Sequence, residues 1–171
     1  MNQPTLFMMF GYPGAGKTTV AKLISQLTGA AHLSSDEVRM ELFPNPSYTQ
    51  AEHDMVYTTL NTRAEELLKE GKSVVYDANL NRLIHRIEKY TLCQRVGARS
   101  VLFWIQAPRE LAKERAVMRG HHHLVPQDET FESMFERVAN AIEEPGEDEP
   151  VYVIDGAQIN ESALREILDR L

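Results

Sequence analysis

The sequence predicts an α/β fold: a doubly wound parallel sheet of five strands flanked by helices. Three observations lead there. Short apolar runs of strand length alternate with longer segments of helical period. No internal repeat interrupts that alternation. The 171 residues suffice for one hydrophobic core and not for two, so we expect a single domain over residues 1–171. At 43% hydrophobic and 25% charged residues, the composition is that of an ordinary globular protein.

The first apolar run, Leu6–Phe10, reads as a strand that ends in a glycine-rich turn. Apolar residues then recur at helical spacing across Thr18–Leu27, at Val20, Ala21, Leu23, Ile24 and Leu27. Ala31–Leu33 is a second strand, and Ser34, Ser35 and Asp36 offer side chains to cap a helix starting near Glu37. The turn-rich Pro44–Ser47 introduces a long helix, Thr49–Lys69, which Gly71 stops. Ser73–Tyr76 forms the third strand with Asp77 at its carboxyl end, and Arg82–Val96 is a helix closed by Gly97. Val101–Ile105 is the fourth strand. Pro108 opens a helix to about Arg119 with Gly120 as its stop, His121–Pro126 is a loop, and Asp128–Ile142 is another helix. The acidic Glu143–Pro150 reads as a solvated connection, Val151–Ile154 as the fifth strand and Glu161–Leu171 as a closing amphipathic helix. In such a sheet the ligand site lies at the carboxyl ends of the strands.

Several classes of protein are disfavoured at once. The single cysteine, Cys93, rules out an intrachain disulfide and a Cys-based zinc site, which leads us to expect a reducing, cytoplasmic setting. The apolar runs are far shorter than the roughly 20 residues that span a bilayer, and Met1–Thr5 lacks the basic start of a signal peptide, so no membrane partner is expected. A formal net charge of -7 argues against broad adhesion to nucleic acid, though a small basic cleft is compatible with it.

Chemistry concentrates in the first turn. Gly11-Tyr12-Pro13-Gly14-Ala15-Gly16-Lys17-Thr18 matches the Walker A phosphate-binding loop at every fixed position, between an expected strand and an expected helix. The glycines let the main chain curl so that successive backbone N–H groups face an anion, the helix start adds its positive dipole end, and Gly11, Pro13, Gly14, Ala15 and Gly16 are the loop residues expected around the nucleotide. Lys17 is expected to reach the β and γ phosphates of ATP, Thr18 to place a hydroxyl on Mg²⁺, and Thr19 to touch the α phosphate. Asp36 and Arg39, three apart at a helix start, can share one side of the cleft. There a carboxylate could accept a hydroxyl proton and a guanidinium could hold an acidic group, unless they serve only as cap and surface charge. Asp77 is placed to order Mg²⁺ or its waters, or else to form a turn. Arg115 and Arg119, one helical turn apart, can project together toward bound phosphates or lie on a solvated face. The run His121-His122-His123 lacks the spaced partners of a metal site and reads as a solvated tip. Met8, Met9 and Trp104 read as core, and Cys93 shows no sign of being a nucleophile.

The segments Gly11–Thr19, Ser35–Arg39, Val75–Asn81, Glu114–Gly120 and Val125-Pro126 together resemble the P-loop kinases typified by the kinase domain of bacteriophage polynucleotide kinase and related bacterial kinases. The resemblance implies a sheet of order 2-3-1-4-5, a helical lid over about residues 115–130, ATP with Mg²⁺, and phosphoryl transfer to a hydroxyl. It casts Asp36 as general base, Arg39 as a contact to an acceptor phosphate, and Arg115 and Arg119 as lid residues over the donor phosphates. The chain lacks a fused phosphatase domain, its lid carries three histidines, and Met40–His53 does not match, so the acceptor stays open. We expect an ATP-dependent kinase acting on a hydroxyl of a small molecule, a nucleoside or a polynucleotide 5′ end. A nucleotide-dependent switch or assembly ATPase is the alternative.

Overall fold

The computed structural model describes residues 3–118 and 129–171; Arg119, Gly120, the loop His121–Pro126 with its histidines, and Asp128 lie outside the described residues. Along the chain run β1 (Thr5–Phe10), α1 (Lys17–Thr28), β2 (Ala31–Ser34), α2 (Ser35–Leu42), α3 (Gln50–Lys69) and β3 (Val74–Asp77). There follow α4 (Leu83–Val96), β4 (Arg99–Gln106), α5 (Arg109–Met118), α6 (Phe131–Asn140), β5 (Val151–Asp155) and α7 (Glu161–Leu168). The strands form one five-stranded sheet in the order β2-β3-β1-β4-β5, with every pairing parallel. This is the order that the resemblance implied.

β1 is central because both of its faces are apolar. Leu6, Met8 and Phe10 point into a core shared with Leu60 and Leu68 of α3 and Leu92 of α4. Phe7 and Met9 point into the opposite core with Val20 and Ile24 of α1 and Leu164 of α7. A strand buried on two faces reads as an unbroken apolar run, which is why Leu6–Phe10 shows no alternation. Trp104 is half-buried and meets the Phe10 ring edge-on at 5.5 Å. A third, smaller core joins α5 to α6 through Ala112, Ala116, Phe135 and Ala139.

The element ends differ from expectation where a cap decides. Ser34 caps α2 by accepting from the Glu37 N–H at 3.5 Å, so Asp36 sits inside the first turn and is not the cap. α6 begins at Phe131, later than expected, because Thr130 and Ser133 satisfy each other's backbone N–H groups in a capping box. β4 extends at both ends, paired with all of β1 from Thr5 to Phe10. Burial pushes the Cys93 thiol up to about 11, which keeps it neutral near pH 7. No described helix is long and apolar enough to cross a membrane.

The acidic connection after α6 is not merely solvated. Arg86 of α4 is completely buried, and its guanidinium donates to both Glu149 carboxylate oxygens, at 2.6 and 3.0 Å, and to the Leu80 carbonyl at 3.1 Å. Tyr90 donates to the same carboxylate at 2.6 Å, and Glu143 accepts from the Leu83 N–H. Burial alone would raise the Glu149 carboxyl, but the hydrogen bonds from Arg86 and Tyr90 hold it below its ordinary value. Its contribution to stability is therefore complete above the unfolded-state pKa and is lost as the pH falls through the lower folded value.

Removing one member of a buried pair strands the other charge. Glu149→Ala should cost about 3–5 kcal/mol in urea unfolding at neutral pH, and the double change Arg86→Met with Glu149→Leu should restore most of it. A single-variant loss under about 1 kcal/mol would show that the pair does not hold α4 to this connection.

Candidate functional site

The site begins where β1 ends. After Phe10 the chain turns through the phosphate-binding loop, closed by the Ala15 N–H on the Tyr12 carbonyl at 3.1 Å, and enters α1 at Lys17. Gly14 has φ 79, and a side chain there would run into the Ala112 carbonyl and the Ala116 N–H of α5. Glycine is required at this position by both backbone angle and space. Gly16 sits at the N-cap with no side-chain cap, so the first amides of α1 are not capped from within the loop. The Lys17 ammonium lies over the loop and donates to the Gly11 and Tyr12 carbonyls, each at 2.9 Å.

A cavity of about 480 Å³ opens at this end of the sheet, lined by Lys17, Thr18, Asp36 and Asp77, with Pro13 and Gly14 on the loop side. Phe131, Met134 and Val138 of α6 form the facing wall. Ala15 and Gly16 are buried in the turn, and Thr19 is exposed on the first turn of α1 without lining the cavity. Asp77 is 6% exposed and lies 3.1 Å from His32 Nε2. His32 was not singled out from the sequence, because its meeting with Asp77 depends on the register that sets β2 against β3.

Two of the expected arginines make contacts that helical spacing does not foretell. Arg39 does not line the main cavity and is buried, with its guanidinium 5.0 Å from the centre of the Tyr48 ring. One of its terminal nitrogens, Nη1, has no hydrogen-bond partner among the described residues, and neither has the Tyr48 hydroxyl. Tyr48 itself is held at φ 55, while Glu52 accepts from the Ser47 and Tyr48 N–H groups at 2.9 and 2.7 Å. Arg115 reaches the turn after β5, which itself lies against the phosphate loop at Ala15. It donates to the Gly156 and Ala157 carbonyls at 2.5 and 3.3 Å, tying α5 to the turn after β5. Arg119 lies outside the described residues.

Residues beyond the loop brace it. The Gly11 N–H points at the Asn81 side-chain oxygen at 3.5 Å, and Asn79 accepts from the Asn81 N–H at 3.0 Å. The Tyr57 hydroxyl accepts from the Asn79 N–H at 3.2 Å, and burial pushes its phenol up to about 12. Among the described residues no group of three or more His, Cys, Asp or Glu side chains is placed to hold a metal. The donors present, a Thr18 hydroxyl and an Asp77 carboxylate, are hard oxygens of the kind Mg²⁺ takes, one or two at a time, with water and phosphate oxygens filling the rest.

The family model described as AAA domain matches residues 6–143, so the chain belongs to that family. It is 28% identical over 156 residues to an adenylate kinase from Prochlorococcus marinus, covering 81% of this chain and 78% of that protein. Among solved structures, a candidate kinase from Chloroflexus aurantiacus superposes with a TM-score of 0.80 at 19% identity, over 99% of this chain and 100% of that one. The APS kinase of Mycobacterium tuberculosis in complex with AMPPNP and APS superposes at 0.69 and 16% identity, over 99% and 98%. At these identities the two structures show a shared fold.

Lys17→Met should leave the protein folded, with circular dichroism unchanged, because Lys17 is placed toward the cavity and the loop and not in either core. Losing a charge-assisted contact to phosphate should weaken ATP binding roughly 10–100-fold by calorimetry. Wild-type affinity in the folded variant would remove Lys17 from the nucleotide site.

Proposed function

We propose that this member of the AAA-domain family is an ATP-dependent kinase that moves the γ-phosphoryl group to a hydroxyl, with Asp36 as general base. The observation that carries the reading is one cavity in which Lys17, Thr18 and Asp77 stand on the phosphate side and Asp36 enters from the first turn of α2. Ser34 already caps that helix, so the cap does not account for the Asp36 carboxylate. The relative that is an adenylate kinase, and the APS kinase in complex with AMPPNP, support nucleotide-dependent phosphoryl transfer on this fold.

Such transfer asks mainly for positioning and charge stabilisation, since the γ-phosphoryl group passes through a loose transition state with charge spread over its oxygens. The loop amides and Lys17 hold the β and γ phosphates in place. Mg²⁺ bound with the nucleotide supplies neutralisation of the β and γ phosphate charge, and Thr18 and Asp77 are the residues that would hold it. His32, against Asp77 at 3.1 Å, fixes the orientation of that carboxylate. The acceptor oxygen forms its bond to the γ phosphorus as the bond to the β–γ bridging oxygen breaks, ADP leaves, and Asp36 takes the hydroxyl proton. The apolar wall of Phe131, Met134 and Val138 limits water at the reacting centre, where it would compete as acceptor. Arg115 and Arg119 are the residues we assign to the lid; Arg115 also ties α5 to the turn after β5.

Asparagine keeps the shape of Asp36 but cannot accept the proton as a carboxylate does. Asp36→Asn should bind ATP with Mg²⁺ about as well as wild type and lose roughly 10²–10⁴-fold in single-turnover transfer to a hydroxyl acceptor. Near-normal transfer would sink the assignment. ATP hydrolysis that no acceptor pool accelerates would favour the switch or assembly ATPase.

A further inference from the structure

The phosphate cleft does not end at Asp36. Asn79, Asn81 and Val138 line both it and a second cavity of about 250 Å³ between α3, α4 and α6, so the two are contiguous. That volume is below the roughly 300–1,000 Å³ of a pocket for a whole drug-sized ligand, and suits one headgroup.

Its lining is rich in basic side chains, in a chain whose net charge is -7. His53 comes from α3, Arg82 and His85 from the start of α4, and Arg137 from α6, with no Asp or Glu among the described lining residues. Some of this charge is balanced from outside the cavity. Glu129 pairs with Arg137 at 2.8 Å, and Glu88 stands 4.0 Å from His85. Arg82 has no ion-pair partner among the described residues. Behind the wall lies Arg39, buried, with Nη1 lacking a partner.

The electrostatics of His53 report the same crowding. Its imidazole is held below its ordinary value, first by burial, then by Arg39 of α2 and His85 of α4, while Asp54 on its own helix opposes them. Its ring stacks at 4.4 Å on Tyr57, whose hydroxyl holds the Asn79 N–H at the junction of the two cavities. Basic side chains from three helices line this one small concavity, with Arg39 of a fourth behind it. An anion seated there would be favoured by Arg82, which pairs with no carboxylate among the described residues, and would draw a proton onto His53.

The geometry points to this second cavity as the seat of an oxyanion on the acceptor, so that the compound phosphorylated is a small hydroxy compound bearing a phosphate, sulfate or carboxylate. This rests on the kinase reading above for the words acceptor and phosphorylated; the anion site itself does not. With the anion in the second cavity and the hydroxyl beside Asp36, the acceptor lies across the amides of Asn79 and Asn81. Specificity then comes from Arg82, His53 and Arg137, none of which stands in the nucleotide site.

Calorimetry with AMPPNP and Mg²⁺ at saturation keeps the phosphate loop filled, so that an added anion reads the second cavity. Sulfate is the probe, because its charge does not change between pH 6 and 8. Wild type should bind sulfate more tightly as the pH falls over that range, since a bound anion favours protonated His53. His53→Gln should reduce that pH dependence and His53→Gln with His85→Gln should abolish it, and Arg82→Gln should weaken sulfate binding roughly 10-fold. None of these residues belongs to a core or lines the phosphate cavity, and all the variants should keep wild-type AMPPNP affinity. A paired panel then tests the acceptor: glycerol 3-phosphate should bind at least 10-fold more tightly than glycerol, and gluconate more tightly than glucose. Sulfate affinity unchanged in Arg82→Gln, or no preference for the anionic member of each pair, would overturn the inference while leaving the kinase reading in place. Anion binding with these variant effects, but no transfer from ATP to any hydroxyl, would overturn the kinase reading and leave the anion site standing.

Discussion

The contact on which the rest of the site depends is backbone against backbone at the phosphate loop. Gly14 lies so close to Ala112 and Ala116 that α5 rests on the loop with no side chain between them. On the other side, a Cβ at Gly156 would meet the Ala15 carbonyl, so the turn after β5 closes on the same loop. Arg115 joins these two neighbours by donating to the Gly156 and Ala157 carbonyls. Because α5 is fixed this way, the small core of Ala112, Ala116, Phe135 and Ala139 fixes α6, and α6 in turn supplies the wall that faces the phosphate loop. The acceptor side of the cleft therefore inherits its position from a glycine on the donor side.

This chain of dependence explains what could be read in the sequence. The loop was legible because its chemistry is local: glycines, lysine and threonine must sit at fixed spacing for amides and ammonium to converge on one anion. β1 was legible as a doubly buried strand from five consecutive apolar residues. The strand order came from the resemblance, since parallel crossovers leave little local trace. What escaped depends on distant partners. His32 meets Asp77 across 45 residues, and Arg86 meets Glu149 across 63. Glu149 read as solvated because neighbouring acidic residues are, and nothing nearby announces a buried arginine. Arg115 and Arg39 were placed by helical spacing alone, which gives which residues share a face but not what that face meets.

The distribution of charge follows the same division. Among the described residues, most of the carboxylates that form ion pairs do so in exposed or half-exposed pairs such as Glu41 with Arg63 and Glu136 with Arg109, which contribute little each. The excess of acid is thus spread over the surface, while cations gather at the carboxyl edge of the sheet, where both the phosphate loop and the basic cavity open. An acidic protein can in this way present a cationic cleft to a small anion without attracting long polyanions to its surface.

The two sides of the cleft are prepared for ligand in different ways. On the donor side Lys17 donates to loop carbonyls, so a phosphate exchanges one set of charged hydrogen bonds for another and gains by its charge. Behind the second cavity, Arg39 Nη1 and the Tyr48 hydroxyl are buried without hydrogen-bond partners among the described residues, and each such group costs about 1–3 kcal/mol. Tyr48 also holds a left-handed backbone, rare for a bulky residue, under the hold of Glu52 on the Ser47 and Tyr48 N–H groups. A polar ligand that reaches this pair relieves a cost the free protein already bears, which adds to its binding without any new attractive surface. Such a ligand would have to reach between α2 and the segment leading into α3, the stretch where the chain departs from the kinases it resembles, so the buried pair is a reserve of binding energy that neither cavity lining shows.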